Sequence, residues 1–214
     1  MTTSGRIQSA PLVWINGFPG VGKLTIAREV QRMLGYESVT FIDNHTLIDP
    51  VQLARDHPEY QEQRRAIRQN AFNHYVLGLE PALLMTDHQG CQVQLAKTII
   101  FTDFQTANEL GSSVAREYQA AAAKAGRLFL PVYLECEREE NVRRAVRPER
   151  TADGKGKLVD RVVLEDFLSR CTLFEFEGVD GLRIDVTGRT PAYVAAEMVV
   201  IIRRLMASDE VSPS

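Results

Sequence analysis

The stretch Leu12-Val13-Trp14-Ile15-Asn16-Gly17-Phe18-Pro19-Gly20-Val21-Gly22-Lys23-Leu24-Thr25 decides how the rest of the chain is read. Its first four residues are apolar without a break, which suits a short strand buried on both faces. That strand is expected over residues 11–16. Glycines then fall at positions 17, 20 and 22. Beyond them Ile26, Ala27, Val30 and Met33 or Leu34 recur at helical spacing, so a helix is expected over about residues 22–34, stopped at Gly35.

A strand, a glycine-rich turn and a helix in that order have a physical use. The glycines let backbone N–H groups turn inward around phosphate oxygens, and the helix points its positive dipole end at the same anion. Lys23 adds a charge that reaches the β- and γ-phosphates. Gly17 to Lys23 fits the Walker A pattern in both letters and placement. The expected nucleotide-binding set is therefore Gly17, Phe18, Pro19, Gly20, Val21, Gly22, Lys23, Leu24 and Thr25. One position departs from the pattern. Leu24 stands where a Ser or Thr hydroxyl would bind Mg²⁺. Thr25 points about 100° further round the helix, so it can serve the α-phosphate but does not replace the metal ligand.

Working outward, apolar runs alternate with helical patterns, the signature of an α/β parallel sheet. Further strands are expected over residues 38–43, 97–103, 128–135 and 182–186. Pro131 requires a bulge in the fourth strand, or a strand that starts there. A loop over residues 44–58 leads to a helix over about 59–79. Thr106 and Glu109 read as a capping box before an alanine-rich helix to about Ala125. A basic helix over 137–147, a polar stretch over 148–157 and a helix over 160–173 follow. Thr190 and Pro191 read as the N-cap and first residue of the last helix. One domain over residues 1–214 is expected, with polar ends at about 1–9 and 207–214.

The bulk numbers narrow the classes. A net charge of -3 offers no argument for a nucleic-acid partner, and no apolar run of membrane-spanning length occurs. The opening MTTSGRIQSA lacks the apolar centre of a secretory signal. Cys91, Cys136 and Cys171 are sparse and odd in number, which suits free thiols in a reducing compartment. A cytoplasmic protein, monomeric or homodimeric, is expected.

On these residues the chain resembles the P-loop small-molecule kinase group, which includes shikimate, gluconate and adenylate kinases and chloramphenicol phosphotransferase. It is similar in style to the "AAA domain" kinases of that group. The resemblance runs from Leu12 to about Leu205. It implies a P-loop NTPase fold: a three-layer α/β/α arrangement, a five-stranded parallel sheet in the order 2-3-1-4-5, and a small helical lid over about residues 143–160. It implies ATP or another NTP, Mg²⁺ and a small-molecule acceptor as partners.

The resemblance also assigns roles. Asp43, ending the second strand, would hold Mg²⁺ or take the proton of the attacking hydroxyl. Asp103, ending the third, resembles a Walker B acid and would be a second metal ligand. The same residues would also suit a turn and a loop cap. His45, Arg64 and Arg68 join Asp43 as acceptor-binding candidates. Arg143 and Arg147 share one helix face and would close on the triphosphate as lid arginines, ahead of Arg144. The alternative for that helix is a solvated face paired with Glu139, Glu140 and Glu149. Residues 185–189 match where related kinases pass the nucleotide base. Lys23, Asp43, Arg143 and Arg147 are thus the catalytic candidates. Two functions remain: an ATP-dependent kinase acting on a small-molecule hydroxyl, and a nucleotide-binding module without transfer, for which Leu24 is the main support.

Overall fold

The computed structural model describes residues 9–79, 93–147 and 160–208. Five strands, β1 (Leu12–Gly17), β2 (Val39–Ile42), β3 (Thr98–Asp103), β4 (Phe129–Glu135) and β5 (Leu182–Asp185), form one parallel sheet in the order β2-β3-β1-β4-β5. The connecting helices are α1 (Lys23–Leu34), α2 (Asn44–Ile48), α3 (Tyr60–Ala71), α4 (Glu109–Lys124), α5 (Arg138–Ala145), α6 (Arg161–Arg170) and α7 (Pro191–Ser208). This is the three-layer P-loop NTPase architecture with the expected strand order.

The unbroken apolar run of β1 is explained by its two buried faces. Val13 and Ile15 pack with Ile26, Ala27 and Val30 of α1 and with Val194, Met198 and Ile202 of α7. Leu12 and Trp14 pack with Phe72, Val76 and the α4 residues Val114, Ala115 and Tyr118 on the other face. Alternate residues of a strand point to opposite faces, so a doubly covered strand needs apolar residues at every position.

Several local expectations are corrected. The fourth strand contains no bulge, because its register with β1 runs unbroken from Leu12↔Phe129 to Gly17↔Leu134. Leu12 N–H donates to Leu128 O on one side of this strand, and Val186 N–H donates to Glu135 O on the other. Odd-numbered residues of β4 therefore face β5. The β5 ladder begins only at Val132↔Leu182, so Pro131 lies just before it and its missing N–H breaks no ladder bond. The capping box is also replaced. Asn108 is the N-cap of α4, its Oδ1 accepting from Gly111 N–H at 2.7 Å. Thr106 instead bridges to Leu173. A Cβ on Gly111 would lie 2.2 Å from Thr106 O, so only glycine fits beneath that bridge.

The loop expected over residues 44–58 opens with α2. The long helix expected over 59–79 is α3 followed by a π-turn over Phe72–Val76, closed by Leu77 N–H on Phe72 O. Cys91, Arg150, Lys155, Lys157 and most of the expected lid lie outside the described residues.

At the amino edge of the sheet, buried Arg127 gathers four backbone carbonyls from three other chain segments. It donates from Nε to Val76 O at 2.9 Å, from Nη1 to Ala10 O at 2.6 Å and Lys97 O at 2.8 Å, and from Nη2 to Gln94 O at 2.9 Å. Hydrogen bonds from a charged donor are worth about 1.5–3 kcal/mol each and do not add fully. Arg127→Leu is expected to lower the unfolding free energy by about 3 kcal/mol, read by urea denaturation. Its lesion is far from the opposite, carboxyl edge of the sheet.

Candidate functional site

The carboxyl edge of β1 turns directly into the glycine loop. Gly20 (φ +93) and Gly22 (φ +105) adopt left-handed backbone that a side chain would strain. Space is as strict as conformation. A Cβ at Gly20 would sit 2.7 Å from Ala145 Cβ and 2.9 Å from Asn141 O; at Gly22 its nearest contact would be 3.7 Å away. Lys23 Nζ donates to Gly17 O at 2.5 Å and to Phe18 O at 3.0 Å, folding the ammonium back over the loop. Gly22 caps α1 without a side chain, so the first-turn N–H groups have no capping side chain and can receive an anion. Leu24 is half-buried and Thr25 exposed.

Asn16, which sequence reasoning passed over, joins the loop to its surroundings. It is fully buried. Its Oδ1 accepts from Gly17 N–H at 3.0 Å and Gln105 N–H at 2.9 Å, and its Nδ2 donates to Gln105 O at 3.0 Å and Phe174 O at 3.1 Å. Every group of the carboxamide is matched.

Beside it, in register, is Asp103. This carboxylate is 1% exposed and accepts from Phe104 N–H at 2.8 Å and Gln105 Nε2 at 2.9 Å. Burial pushes the Tyr118 phenol well above its ordinary value, and the nearby Asp103 charge pushes it further the same way, so the phenol stays protonated. Asp43 is the N-cap of α2 and is also buried. Its Oδ1 accepts from Thr102 Oγ1 at 3.3 Å, and Thr102 immediately precedes Asp103. The two acids thus end adjoining strands, as expected. His45 Nδ1 lies 3.7 Å from Asp49, the C-cap of its own helix.

The arginines divide sharply. Arg68 is 3% exposed and makes a two-pronged contact with Glu117, at 3.0 and 3.1 Å. It is therefore committed to an internal ion pair. Arg64, one turn nearer the start of α3, is half-buried, and its Nε is buried without a hydrogen-bonding partner among the described residues. Arg143 and Arg147 are exposed. Arg143 lines a cleft of about 550 Å³ between α5 and α6, with Arg138, Arg161 and Glu165. Arg144, ranked behind them on sequence, turns inward instead. Its neighbour Asn141, also missed, donates from Nδ2 to Pro19 O at 3.1 Å in the loop itself. The burial of Asn141, Val142 and Ala145 on one stripe of α5 is the signal that marks this face as inward.

Cys136 and Cys171 are free. Burial raises the Cys136 thiol pKa, so a reactive thiolate is disfavoured there.

Among the described residues no three metal-ligating side chains cluster. Mg²⁺ needs fewer: one or two carboxylates, with phosphate oxygens and water completing its shell. Asp43 and Asp103 offer two such carboxylates, and the adjacent Asn44 Oδ1 is a buried oxygen with no hydrogen-bonding partner among the described residues. The donor chemistry fits the ion, although Leu24 supplies none of it.

No protein-family model matches the chain, and no curated protein sequence matches it. Solved structures do match. The APS kinase of Mycobacterium tuberculosis, in complex with AMPPNP and APS, is 15% identical with a TM-score of 0.57, over 91% of this chain and 98% of that one. A sugar kinase from Janibacter sp. is 16% identical with a TM-score of 0.51, over 92% and 95%. The tunicamycin resistance protein of Deinococcus radiodurans is 16% identical with a TM-score of 0.51, over 90% and 95%. The chain thus has the fold of the P-loop small-molecule kinases.

The geometry around the loop separates its glycines. Gly20→Ala should destabilise the protein by about 2–4 kcal/mol, from backbone strain and the clash with α5 together. Gly22→Ala carries only the strain and should cost about 1–2 kcal/mol. Thermal and urea denaturation of the two variants check that order.

Proposed function

We propose that the chain is an ATP-dependent phosphotransferase that moves the γ-phosphoryl group to a hydroxyl of a small molecule. The carrying observation is the cradle: a left-handed glycine loop, an uncapped helix start and Lys23 folded over the loop, with two buried carboxylates at the neighbouring strand ends. The P-loop N–H groups and Lys23 would bind and neutralise the phosphates. Phosphoryl transfer asks little more of a protein than positioning and charge stabilisation.

Asp43 would orient the acceptor hydroxyl and take its proton. Its bond from Thr102 and its place as the α2 cap fix the direction of the carboxylate. Asp103 would share the metal with Asp43. When bound, Mg²⁺ would neutralise charge between the β- and γ-phosphates. Arg143, lining the cleft, and Arg147, also exposed, would serve as the lid arginines, and Arg64, whose Nε has no hydrogen-bonding partner among the described residues, would serve the acceptor. The AMPPNP in the APS kinase complex supports a nucleotide as the ligand; the other named kinase suits a phosphorylated alcohol.

A second reading rests on Leu24. Without the loop hydroxyl the metal shell loses a usual member, and the chain would then bind nucleotide with little dependence on Mg²⁺ and transfer nothing.

ATP turnover with and without Mg²⁺, against a panel of metabolite alcohols, separates the two. For a kinase, Lys23→Ala and Asp43→Ala are each expected to lower kcat/KM about a hundredfold or more. Nucleotide binding that is indifferent to Mg²⁺, with no acceptor phosphorylated, establishes the second reading. Absence of any nucleotide binding by the wild type refutes both.

A further inference from the structure

The site has two sides. β1 lies between β3 and β4, so the carboxylates of β2 and β3 flank the phosphate cradle on one side, and the loop after β5 flanks it on the other. By the resemblance to the P-loop kinases, a nucleotide whose γ-phosphate faces Asp43 and Asp103 would lead its nucleoside toward residues 185–189. That loop is built before any ligand arrives. Thr187 donates to Asp185 Oδ1 through its N–H at 2.9 Å and its Oγ1 at 2.6 Å, and accepts from Glu137 N–H at 2.8 Å.

One ion pair joins this loop to the cradle. Arg144 and Glu140 stand one turn apart on α5, and only 21% and 15% of their side-chain surfaces are exposed. Their charges are in direct contact. Arg144 Nη2 donates to Val186 O at 3.0 Å, and Nη1 lies 3.5 Å from Val21 O in the glycine loop. Glu140 Oε2 accepts from Gly188 N–H at 3.0 Å. The same helix holds the glycine loop through Asn141 on Pro19 O and through the tight seat of Gly20 on Ala145. The glycine loop and the loop after β5 are thus both tied to α5, and the planar guanidinium fork reaches both.

We propose that Arg144, through its pair with Glu140, is a positioning residue that fixes the loop of residues 185–189 at a set distance from the phosphate cradle, so that a bound nucleoside triphosphate is held at both ends. This rests on the nucleotide reading above. The consequence is selective. Loosening the pair leaves the phosphate cradle largely intact, because Lys23, Gly20 and Asn141 still shape it, and removes the share of affinity contributed by the nucleoside.

The test compares two ligands on the full chain by calorimetry: AMPPNP, which spans both halves, and inorganic tripolyphosphate, which fills only the cradle. Arg144→Met is expected to weaken AMPPNP about tenfold, the equivalent of one charge-assisted hydrogen bond, and tripolyphosphate less than about twofold. Glu140→Ala is expected to act in the same direction, and it decides the matter if Arg144→Met does not fold. Equal losses for the two ligands would mean a scaffold role only and overturn the proposal, as would unchanged AMPPNP affinity in a folded variant. A wild type that binds tripolyphosphate but gains nothing from the nucleoside overturns it as well. A wild type that binds neither ligand refutes the nucleotide reading itself, and this inference with it.

Discussion

The carboxamide of Asn16 is the contact on which the site depends. It occupies the last buried position before the glycine loop and makes four hydrogen bonds, to Gly17, to both backbone groups of Gln105, and to Phe174. A buried amide left unmatched costs about 1–3 kcal/mol, so these four partners must arrive together. The carboxamide fixes the start of the loop, the turn after β3 and the chain after α6 in one arrangement. Around it, Phe174 N–H donates to Gln105 O, and Ala107 N–H to Thr172 O. The rings of Phe18, Phe104 and Phe167 continue the same joint outward, with centroids 5.4 and 5.9 Å apart.

From that joint the two sides of the carboxyl edge acquire different chemistry. Toward β3 and β2 lie buried acids with hydroxyl and amide partners. Toward β4 and β5 lie the guanidinium and carboxylate of α5, bonded to loop carbonyl and amide groups. The glycine loop stands between them, and the contact of Gly20 with Ala145 leaves no space for a side chain. The edge is therefore rigid where phosphate would lie and differentiated on either hand.

Much of this was legible in advance. β1, the glycine loop and α1 were read within about a residue, since an apolar run, glycine spacing and helical periodicity are all local. The sheet order followed from the resemblance these residues carry. The capping box failed because the backbone at Thr106 is held extended in a bridge to Leu173 and Asn108 caps the helix instead. The ranking of the arginines was incomplete for a similar reason. Charge and spacing placed Arg143 and Arg147 on a common face, but which face of α5 turns inward is decided by what it packs against. The signal lay in Val142 and Ala145, whose burial carries Asn141 and Arg144 toward the loop. Arg68, read as an acceptor ligand, is engaged by Glu117 across 49 positions, a pairing no local pattern announces.

The sequence by itself determined the strand, the phosphate cradle and its lysine, and it marked Leu24 as the departure from the usual metal hydroxyl. These are properties of neighbouring residues, set by steric freedom, periodicity and helix polarity. Only the tertiary structure decided which polar side chains serve the site and which hold the fold. Asn16 reaches partners 89 and 158 positions away, Arg127 gathers carbonyls from as far as 117, and Arg144 joins segments 123 and 42 positions away. A buried polar group takes its role from the partners that satisfy it, and here those partners are brought together only when the sheet closes.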